Sequence, residues 1–441
     1  MQEKKTFFYT VFIIFISVMA LKLGWYAKRP LPYYEADLRN KIVGARLQQD
    51  GLSPYFYHWK TGDSIRYYDC NAKPFKQNMN SSSPFQSRLL YSLANLPQKN
   101  INTIWFVVLN TFFIACLLIS FLLAKTQTQQ YLLLLVALLL FFSHGWKSNL
   151  KEGQVYIFIP LAGLVLFYLF YKPQTGVTGF ISGVISACLV LFKLNTFLLL
   201  VPFLFTIKKF KPAFLKFYVS AIILTLGINF LQPNETALWK EYFAAVKAHI
   251  SIWHQHNVPV YPDTPQLTEW EGVNPAQAKE AAIKYPLNLD KETSSFFVFY
   301  NSQFINPVSA WMVYLLFGAS GAVLLFIFFK RTAKQNSFLL VETFLCGVCL
   351  YMLGDFFSPI PRFQYYSIQW LFPLLLVAAF YRRAYLIPFI FIISGLILNI
   401  ISIDAVKWEH TLGEISIFTG VFMIAANLNP YKNKLTETES Q

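Results

Sequence analysis

The sequence predicts an all-α polytopic membrane protein with about 12 transmembrane helices. Hydrophobic residues make up 55% of the 441 residues and charged residues only 13%, whereas soluble domains carry about a quarter charged residues. Apolar runs long enough to cross a hydrocarbon core of about 30 Å recur along the chain. Lys and Arg collect in the short connections after alternate runs, a pattern typical of cytoplasmic loops.

The first apolar run, residues 7–27, follows a basic N-terminus and has no small-x-small cleavage site after it, so we expect a retained signal anchor. With the N-terminus taken as cytoplasmic, the later spans form two groups. They are 103–124, 130–146, 155–171, 177–192, 195–207 and 213–231, then 305–329, 338–353, 367–381, 385–401 and 415–428. If 130–146 and 195–207 are re-entrant segments, the number of spans falls to about ten.

The distribution of charge predicts one membrane domain, 1–441, with two large periplasmic loops at 28–102 and 232–304. The basic residues that mark the cytoplasmic side are Lys125, Lys172, Lys208, Lys209, Lys211, Lys330, Arg331, Lys334, Arg382, Arg383, Lys432 and Lys434. Long structured loops are usually functional. Enzymes that act on lipid-linked substrates at an outer membrane face need such loops, whereas channels and transporters seldom do.

Composition and motifs exclude several function classes. The formal net charge of +15 comes from these topology signals and does not indicate nucleic acid. No GxxxxGK[ST] and no GxGxxG motif is present, so an activated sugar would arrive attached to lipid. Cys346 and Cys349 lie in an apolar run and indicate helix packing rather than a metal site. We expect no cofactor.

The first large loop opens with a predicted amphipathic helix, in which Leu38, Ile42 and Ala45 share one face along the membrane surface. Its first turn carries Glu35 and Asp37. One carboxylate there can take a proton from an acceptor hydroxyl as a general base. An acid in a first turn also caps the helix and interacts favourably with the helix dipole, so position alone leaves both roles open.

The order of short motifs over most of residues 30–210 resembles glycosyltransferase family 87. Asp37 opens a helix, and Lys193 follows a Gly-containing span. The other matching motifs are Gly51-Leu52-Ser53-Pro54-Tyr55, Ser83-Pro84-Phe85, Leu96-Pro97, His144-Gly145-Trp146, Glu152-Gly153-Gln154 and Val201-Pro202. The resemblance implies a GT-C fold and a sugar transferase that uses a polyprenyl-phosphate-linked donor.

The resemblance also implies roles for individual residues. Asp37 takes the place of the catalytic acid of the family, and its Gly-Gln pair corresponds to Gly153 and Gln154. Ser358-Pro359 matches the C-terminal motif of the family, but Tyr365 and Tyr366 stand where the family has histidines. Arg362, in the same stretch, can bind phosphate oxygens in a bidentate manner.

The phosphate leaving group of a lipid donor needs electrostatic stabilisation by cations on the outer face. Candidate residues are Arg88, Lys147, Lys193 and Arg362. Lys193 is the most informative of these, because a lysine within an apolar hairpin is costly unless it reaches an interface or an anion. Snorkelling to lipid headgroups is the alternative for Lys193, and a headgroup contact is the alternative for Arg88.

The second large loop contains His249, His254 and His256, whose spacing does not place two metal ligands on one helical face. We therefore expect no metal site there. Trp253 and Trp270 can form a stacking wall for a sugar acceptor, although interfacial aromatics explain them equally well.

These observations predict an inverting, metal-independent hexosyltransferase of a bacterial inner membrane. It would move mannose or a similar sugar from a polyprenyl-phosphate donor to a hydroxyl of a lipid or glycan. A transporter or lipid flippase is the main alternative; it predicts paired intramembrane charges, for which Lys193 and Glu342 are candidates. A non-catalytic subunit of an envelope-assembly complex is the second alternative.

Overall fold

The structure is a computed structural model. It describes residues 12–24 except 14 and 23, 36–67 except 58 and 61, 80–255, 310–332, 340–358, 362–401 and 408–426. This part of the chain is all-helical and contains no strand. The predicted fold class is therefore confirmed at the level of secondary structure.

The α-helices of the described residues range in length from 4 to 26 residues. In chain order they are α1 (Ala36–Gln49), α2 (Pro84–Leu89), α3 (Tyr91–Ala94), α4 (Gln98–Leu123), α5 (Gln127–Phe142), α6 (His144–Glu152), α7 (Phe158–Tyr171), α8 (Gly176–Phe192), α9 (Val201–Thr206), α10 (Pro212–Phe230), α11 (Glu235–Gln255), α12 (Ala310–Thr332), α13 (Leu340–Phe356), α14 (Leu371–Ala379), α15 (Leu386–Leu398) and α16 (Glu409–Ala425). Short 3-10 helices lie at Ile65–Tyr67, Leu194–Leu199, Ile207–Lys209, Gln364–Trp370 and Arg383–Tyr385.

Within the described residues, three helices are long and apolar enough to cross a membrane: α4, α10 and α12. In α10 and α12 only 17% and 22% of the most apolar window is buried inside the protein. Such long apolar faces, exposed on a folded chain, are typical of helices that contact lipid. The helices α7, α8 and α15 are apolar but shorter.

The predicted segment 130–146 is bent rather than straight. Helix α5 ends at Phe142, α6 begins at His144, and their axes differ by 55°. Ser143 has an extended backbone, and its hydroxyl accepts a hydrogen bond from the backbone N–H of Trp146 at 3.1 Å. This N-cap starts a new helix in a new direction. If the two helices are counted as one broken span, the number of candidate spans rises to 4.

The predicted segment 195–207 is interrupted as well. It consists of the 3-10 helix Leu194–Leu199, the short helix α9 and the 3-10 helix Ile207–Lys209. Pro202 lies at the start of α9, where a residue without an N–H is tolerated. The segment therefore differs from the regular spans on either side.

The core is centred on α13 and α14. Every residue of α14 is buried, and α13 is buried along nearly its whole length. The surrounding helices α4, α5, α7, α12 and α16 contact this pair. Two acids of α13, Glu342 and Asp355, are buried at opposite ends of the helix.

Helices α8 and α10 pack very closely because glycines face the partner backbone. A Cβ atom at Gly179 or Gly183 would collide with the carbonyl oxygen of Phe214 or Tyr218, respectively. Small residues at a helix interface allow this close approach. The packing fixes the end of α8, from which Lys193 extends.

Helix α1 has a different environment from the one predicted. Arg39, Lys41 and Arg46 are buried along with Leu38 and Ile42, so the helix has no exposed polar face. The covering elements are α2, α3, the 3-10 helix Ile65–Tyr67 and α6. Backbone carbonyls take the place of water: the Arg46 guanidinium donates to the carbonyl of Ala94 at 2.7 Å and to that of Arg66 at 3.2 Å. The prediction of an amphipathic helix along the membrane surface was wrong, because the surrounding elements cover the polar side chains of α1 as well as the apolar ones.

The two long polar stretches contact each other. The Ser53 hydroxyl, after α1, donates to the Glu241 carboxylate of α11 at 2.6 Å. Arg88 of α2 forms an ion pair with Glu235 at the start of α11. These contacts hold the first described part of the second stretch against the first stretch.

Candidate active site

The Asp37 carboxylate lies in a network of side-chain hydrogen bonds. The Gln154 amide donates to Oδ2 of Asp37, and the Tyr365 hydroxyl bonds to the same carboxylate. The Lys41 ammonium donates to Oε1 of Gln154 at 3.3 Å and to the backbone carbonyl of Asp37 at 3.2 Å. Three distant parts of the chain therefore meet at one partly exposed acid.

The environment of Asp37 favours proton uptake. Burial raises the pKa of the Asp37 carboxyl, and the positive charge of Lys41 and the hydrogen bond from Tyr365 offset the increase only in part. Burial also raises the pKa of the Tyr365 hydroxyl, and the nearby Asp37 raises it further. Tyr365 therefore stays protonated and acts as the donor in this bond. A carboxyl with a raised pKa is a stronger base than an exposed Asp.

A left-handed turn brings Gln154 to Asp37. Gly153 ends α6 with φ 61° and ψ 40°, a conformation in which glycine is favoured. The Gln154 N–H donates back to the carbonyl of Asn149 at 3.0 Å, and the Gly153 carbonyl accepts a bond from the Trp105 indole at 2.9 Å. Gly153 thus positions Gln154 through the backbone.

A cluster of three tyrosines adjoins the Asp37 network. The Tyr365 and Tyr366 rings stack with centroids 4.9 Å apart, and the Tyr156 ring lies 4.3 Å from Tyr366 and 5.9 Å from Tyr365. The Tyr156 hydroxyl donates to the Tyr366 hydroxyl at 2.8 Å. Tyr365 contacts Asp37, whereas Tyr156 and Tyr366 contact a second polar group.

That second group is the ion pair of Lys193 and Asp355. The ammonium lies 2.9 Å from each carboxylate oxygen of Asp355 and donates to the Tyr351 hydroxyl at 3.1 Å. The Asn195 amide donates to Oδ1 of Asp355 at 2.6 Å. The ammonium also lies 4.9 to 5.2 Å from the ring centroids of Tyr156, Tyr351 and Tyr366, a distance at which a cation interacts with aromatic faces.

Arg362 extends this group of charges into the core. Its guanidinium contacts the Glu414 carboxylate at 2.7 Å and lies 3.8 Å from Asp355. The Trp370 indole donates to Glu414 at 2.6 Å. The charges therefore alternate in sign along the series Lys193, Asp355, Arg362 and Glu414. Each of them has an opposite charge beside it.

A cavity of about 450 Å³ opens beside the Lys193–Asp355 pair. Its polar end is formed by Lys193, Asp355, Arg362, Tyr156 and Tyr366. The rest of its wall is mainly apolar and includes Phe192, Phe197, Leu198, Phe243, Val246, Phe317 and Phe357. A polar end joined to an apolar wall suits an amphiphilic ligand.

The structure brings together most of the residues predicted for the site. Asp37, Gln154 and Tyr365 share one hydrogen-bond network, and Lys193 and Arg362 line the cavity. Glu35 lies outside the described residues.

Two predicted phosphate ligands lie elsewhere. Arg88 is engaged by the buried Glu235 and donates to Asn229 at 3.3 Å, and it is not part of the cavity wall. Trp239 donates to the same Glu235 at 2.9 Å. Lys147 is exposed on α6 and is likewise absent from the cavity wall.

Sequence reasoning missed Lys41, Tyr156, Asp355 and Glu414. A signal existed for Asp355, because an ionisable residue within an apolar run is costly and therefore informative. Lys41 follows Asp37 by four residues, the spacing at which helical side chains meet. Neither signal specifies the distant partner.

No group of three or more His, Cys, Asp and Glu residues in the described part of the chain is arranged to hold a metal ion. The side chains of His249, Trp253 and His254 lie outside the described residues, as do His256 and Trp270. The prediction that they form an acceptor wall stays a prediction.

No protein-family model matches this sequence, and no curated protein matches it.

Proposed function

We propose that the chain is a membrane glycosyltransferase of the GT-C type, which transfers a sugar from a polyprenyl-phosphate donor to a hydroxyl of a lipid or glycan. One observation carries the proposal. A carboxylate with a raised pKa, Asp37, is hydrogen-bonded to Tyr365, and the Tyr365 ring stacks on Tyr366 in the wall of a cavity that joins the Lys193 ammonium to an apolar surface. This arrangement supplies a base, a cation for a phosphate and a surface for a lipid chain.

Asp37 is the general base in this scheme. The hydrogen bonds from Gln154 and Tyr365 orient its carboxylate, and partial exposure leaves it accessible to an acceptor. The acceptor hydroxyl gives its proton to Asp37 while its oxygen attacks the anomeric carbon of the donor sugar. Proximity and orientation contribute as much as basicity to such a step.

Lys193 is the residue that contacts the donor phosphate. The bond between the anomeric carbon and the phosphate oxygen breaks, and polyprenyl phosphate leaves with the electron pair. The Lys193 ammonium stabilises the charge that develops on the leaving oxygen. Arg362 is buried next to Asp355 and offsets part of the negative charge of that carboxylate. Attack opposite the leaving group inverts the anomeric centre.

The apolar cavity wall suits the first isoprene units of the donor. Phe197 and Leu198 of the 3-10 helix Leu194–Leu199 and Phe317 of α12 contribute to this wall. Burial of apolar chain there gains about 25 cal/mol for each Å² removed from water. With one phosphate in the donor, protein cations balance the charge, and the scheme requires no metal.

The architecture that accompanies this function has about 12 spans and two periplasmic loops in a bacterial inner membrane. The contacts of Ser53 and Arg88 with α11 support this architecture, because two loops that contact each other must lie on the same side of the membrane. The site would then face the periplasm, where lipid-linked sugars are used.

A lipid flippase is the second candidate, and the Lys193–Asp355 ion pair is the observation that favours it. Paired charges next to apolar segments occur along transport pathways as well as in enzymes. A flippase, however, has no need of a base, so Asp37 and its hydrogen-bond network would have no chemical role. A non-catalytic envelope subunit has no need of a base either, so Asp37 would have no chemical role in it.

Transfer by the purified chain tests the proposal. The chain is reconstituted in vesicles with polyprenyl-phosphate donors that carry a radiolabelled hexose and with a lipid extract as acceptor. We expect label in a new lipid or glycan product, together with free polyprenyl phosphate. Movement of the intact donor between leaflets without any labelled product would contradict the enzyme and support the flippase.

A further inference from the structure

Contacts between three segments bring lysines to one end of the protein. The backbone N–H of Lys211 donates to Oε1 of Gln174 at 2.8 Å, so the connection from α9 to α10 contacts the one from α7 to α8. The Phe205 ring of α9 contacts the Phe329 ring in the last turn of α12, with ring centroids 5.6 Å apart. Residues that are far apart in the sequence therefore share one surface, which we call the basic rim. Its lysines are Lys172, Lys208, Lys209, Lys211 and Lys330.

No acid of the described residues balances the charge of the basic rim. All five lysines are exposed, and residues 153–234 and 293–341 contain no Asp or Glu. The ion pairs of the described residues involve other side chains. Glu342, the first acid after α12, is buried and accepts a hydrogen bond from the Tyr385 hydroxyl at 3.1 Å. Five like charges on one surface repel each other, so the rim favours an anionic partner.

Exposed apolar side chains lie directly beside these lysines. Leu204 and Phe205 of α9 and Ile207 in the connection that follows are exposed, as are Phe326 and Phe329 of α12. The apolar surface thus comes from two segments that contact each other, and it ends at the basic rim. A soluble anion would balance the lysines but leave these side chains in water. A phospholipid matches both features, because its acyl chains extend from a charged headgroup.

We propose that the basic rim binds the headgroups of anionic phospholipids, while their acyl chains contact the apolar surface of α9 and α12. The lysines attract the negative charge of the headgroup, and each basic residue near an anionic bilayer surface strengthens binding about fivefold. The inference goes beyond the proposed function and does not depend on it, since a flippase or an envelope subunit would carry the same surface.

The basic rim and the candidate active site lie at opposite ends of α8. This helix begins at Gly176, after the connection that contains Lys172, and ends at Phe192, next to Lys193. Its 17 residues span about 25 Å at the rise of an α-helix. Anionic lipids at the rim therefore occupy the leaflet opposite to the one from which a lipid donor would reach Lys193. Substitutions at the rim should leave donor binding unchanged.

A local fluorescence measurement tests the proposal. In the full chain with its five native cysteines replaced, a fluorescent probe is attached at Ile207→Cys, between the apolar surface and the lysines. Phosphatidylcholine vesicles that hold this protein contain either brominated phosphatidylglycerol or brominated phosphatidylcholine, whose bromine atoms quench a probe that they contact. At equal mole fraction, we expect phosphatidylglycerol to be enriched at the probe at least about fivefold over phosphatidylcholine, and the enrichment to fall in high salt.

Substitution of the lysines locates the effect. With the probe at position 207, replacement of Lys208, Lys209 and Lys211 by Gln should remove most of the preference for phosphatidylglycerol, because these side chains are exposed and contribute charge rather than packing. Replacement of the same three by Arg keeps the charge and should keep the preference. Lys330→Gln alone, in a different segment, should lower the preference by a smaller factor.

Two controls are matched to these measurements. A probe at Leu231→Cys reports on lipid at the other end of α10, where Leu231 is 84% exposed, and it should be quenched equally by both lipids. Replacement of Lys60, Lys99 and Lys240 by Gln makes the same change in net charge at exposed positions outside the rim. It should leave the preference at position 207 unchanged.

The outcomes separate this inference from the proposed function. Equal quenching by the two lipids at position 207, or an equal preference at position 231, would overturn the basic rim. A preference that survives the three Gln substitutions at the rim, or that falls as much in the control with three other lysines replaced, would overturn it as well. A local preference for phosphatidylglycerol in a chain that transfers no sugar would leave the rim standing while contradicting the glycosyltransferase.

Discussion

The side-chain amide of Gln154 donates a hydrogen bond to the carboxylate of Asp37, 117 positions earlier in the chain. The other end of the same amide accepts a bond from Lys41 at 3.3 Å. Gln154 therefore joins the base and its nearest cation in a fixed arrangement. Because Gln154 is 1% exposed, its side chain is shielded from water, and its hydrogen bond helps to orient the partly exposed carboxylate of Asp37.

The first prediction concerns the pH dependence of transfer. Burial raises the pKa of Asp37, so kcat/KM should fall with decreasing pH at a higher pH than is usual for an Asp carboxyl. Lys41 lowers this pKa by its charge, and Tyr365 lowers it by its hydrogen bond. Both Lys41→Met and Tyr365→Phe should move the acidic limb of the profile to higher pH, and Lys41→Met should move it further.

The control for this profile is Lys99→Met, which removes an exposed lysine of α4. It should leave the acidic limb in place. A limb that moves to lower pH in Lys41→Met would contradict the assignment of the limb to Asp37, because loss of a neighbouring cation cannot favour a carboxylate.

The second prediction concerns the coupling between Lys193 and Asp355. The side chains are 20% and 6% exposed, so removal of one partner leaves the other largely shielded from water. A double-mutant cycle with Lys193→Met and Asp355→Asn should give a coupling free energy of about 1 to 3 kcal/mol. The measurement is the free energy of unfolding in detergent. The same cycle at Lys151 and Glu152, whose side chains lie 3.5 Å apart and are 47% and 24% exposed, should give a much smaller value.

The third prediction distinguishes a structural from a substrate-binding role for Arg88. The Glu235 side chain is fully buried, so Arg88→Met should lower the free energy of unfolding by about 3 to 5 kcal/mol. Arg88→Met combined with Glu235→Gln should recover part of this loss. Donor affinity should stay within about twofold of wild type, as expected for a residue that does not touch the ligand. If Arg88→Met is as stable as wild type but binds the donor more weakly, Arg88 contacts the donor phosphate instead.

The fourth prediction concerns membrane topology. In a variant in which the five native cysteines are replaced, single cysteines are introduced at Gln49, Thr268 and Lys209. An impermeant thiol reagent should label the cysteines at 49 and 268 from outside the inner membrane, and the cysteine at 209 only after permeabilisation. Labelling of 49 and 268 from opposite faces would contradict both the architecture and a site shared by the two loops.

Local patterns predicted the helical character of the chain and the positions of some helices. The apolar runs 213–231 and 338–353 correspond closely to α10 and α13, because burial of apolar side chains and hydrogen bonding of the helix backbone depend on nearby residues. The break at Ser143 shows the limit of such patterns. An apolar run does not reveal a serine that caps a new helix, since the cap depends on the backbone conformation adopted there.

The site was predictable only where one residue carries an unusual feature. Lys193 was identified because a cation in an apolar hairpin needs an anion, but its partner Asp355 lies 162 positions away and was missed. The contact follows from the packing of α13 against the 3-10 helix Leu194–Leu199, which no local pattern encodes. Arg88 was predicted to bind phosphate from its position alone, and no pattern in the sequence indicated its buried partner Glu235, 147 positions away.

The most direct test of Asp37 as the general base is the substitution Asp37→Asn, with transfer of radiolabelled hexose from polyprenyl phosphate as the measurement. Asn keeps the volume of Asp and can still accept a hydrogen bond from Tyr365, so the variant should fold and bind donor like wild type. Without a base, kcat should fall by about a hundredfold or more. Glu35→Gln, two positions earlier, is the matched control and should retain transfer. A kcat in Asp37→Asn equal to that of the wild type would contradict the role of Asp37 as the general base.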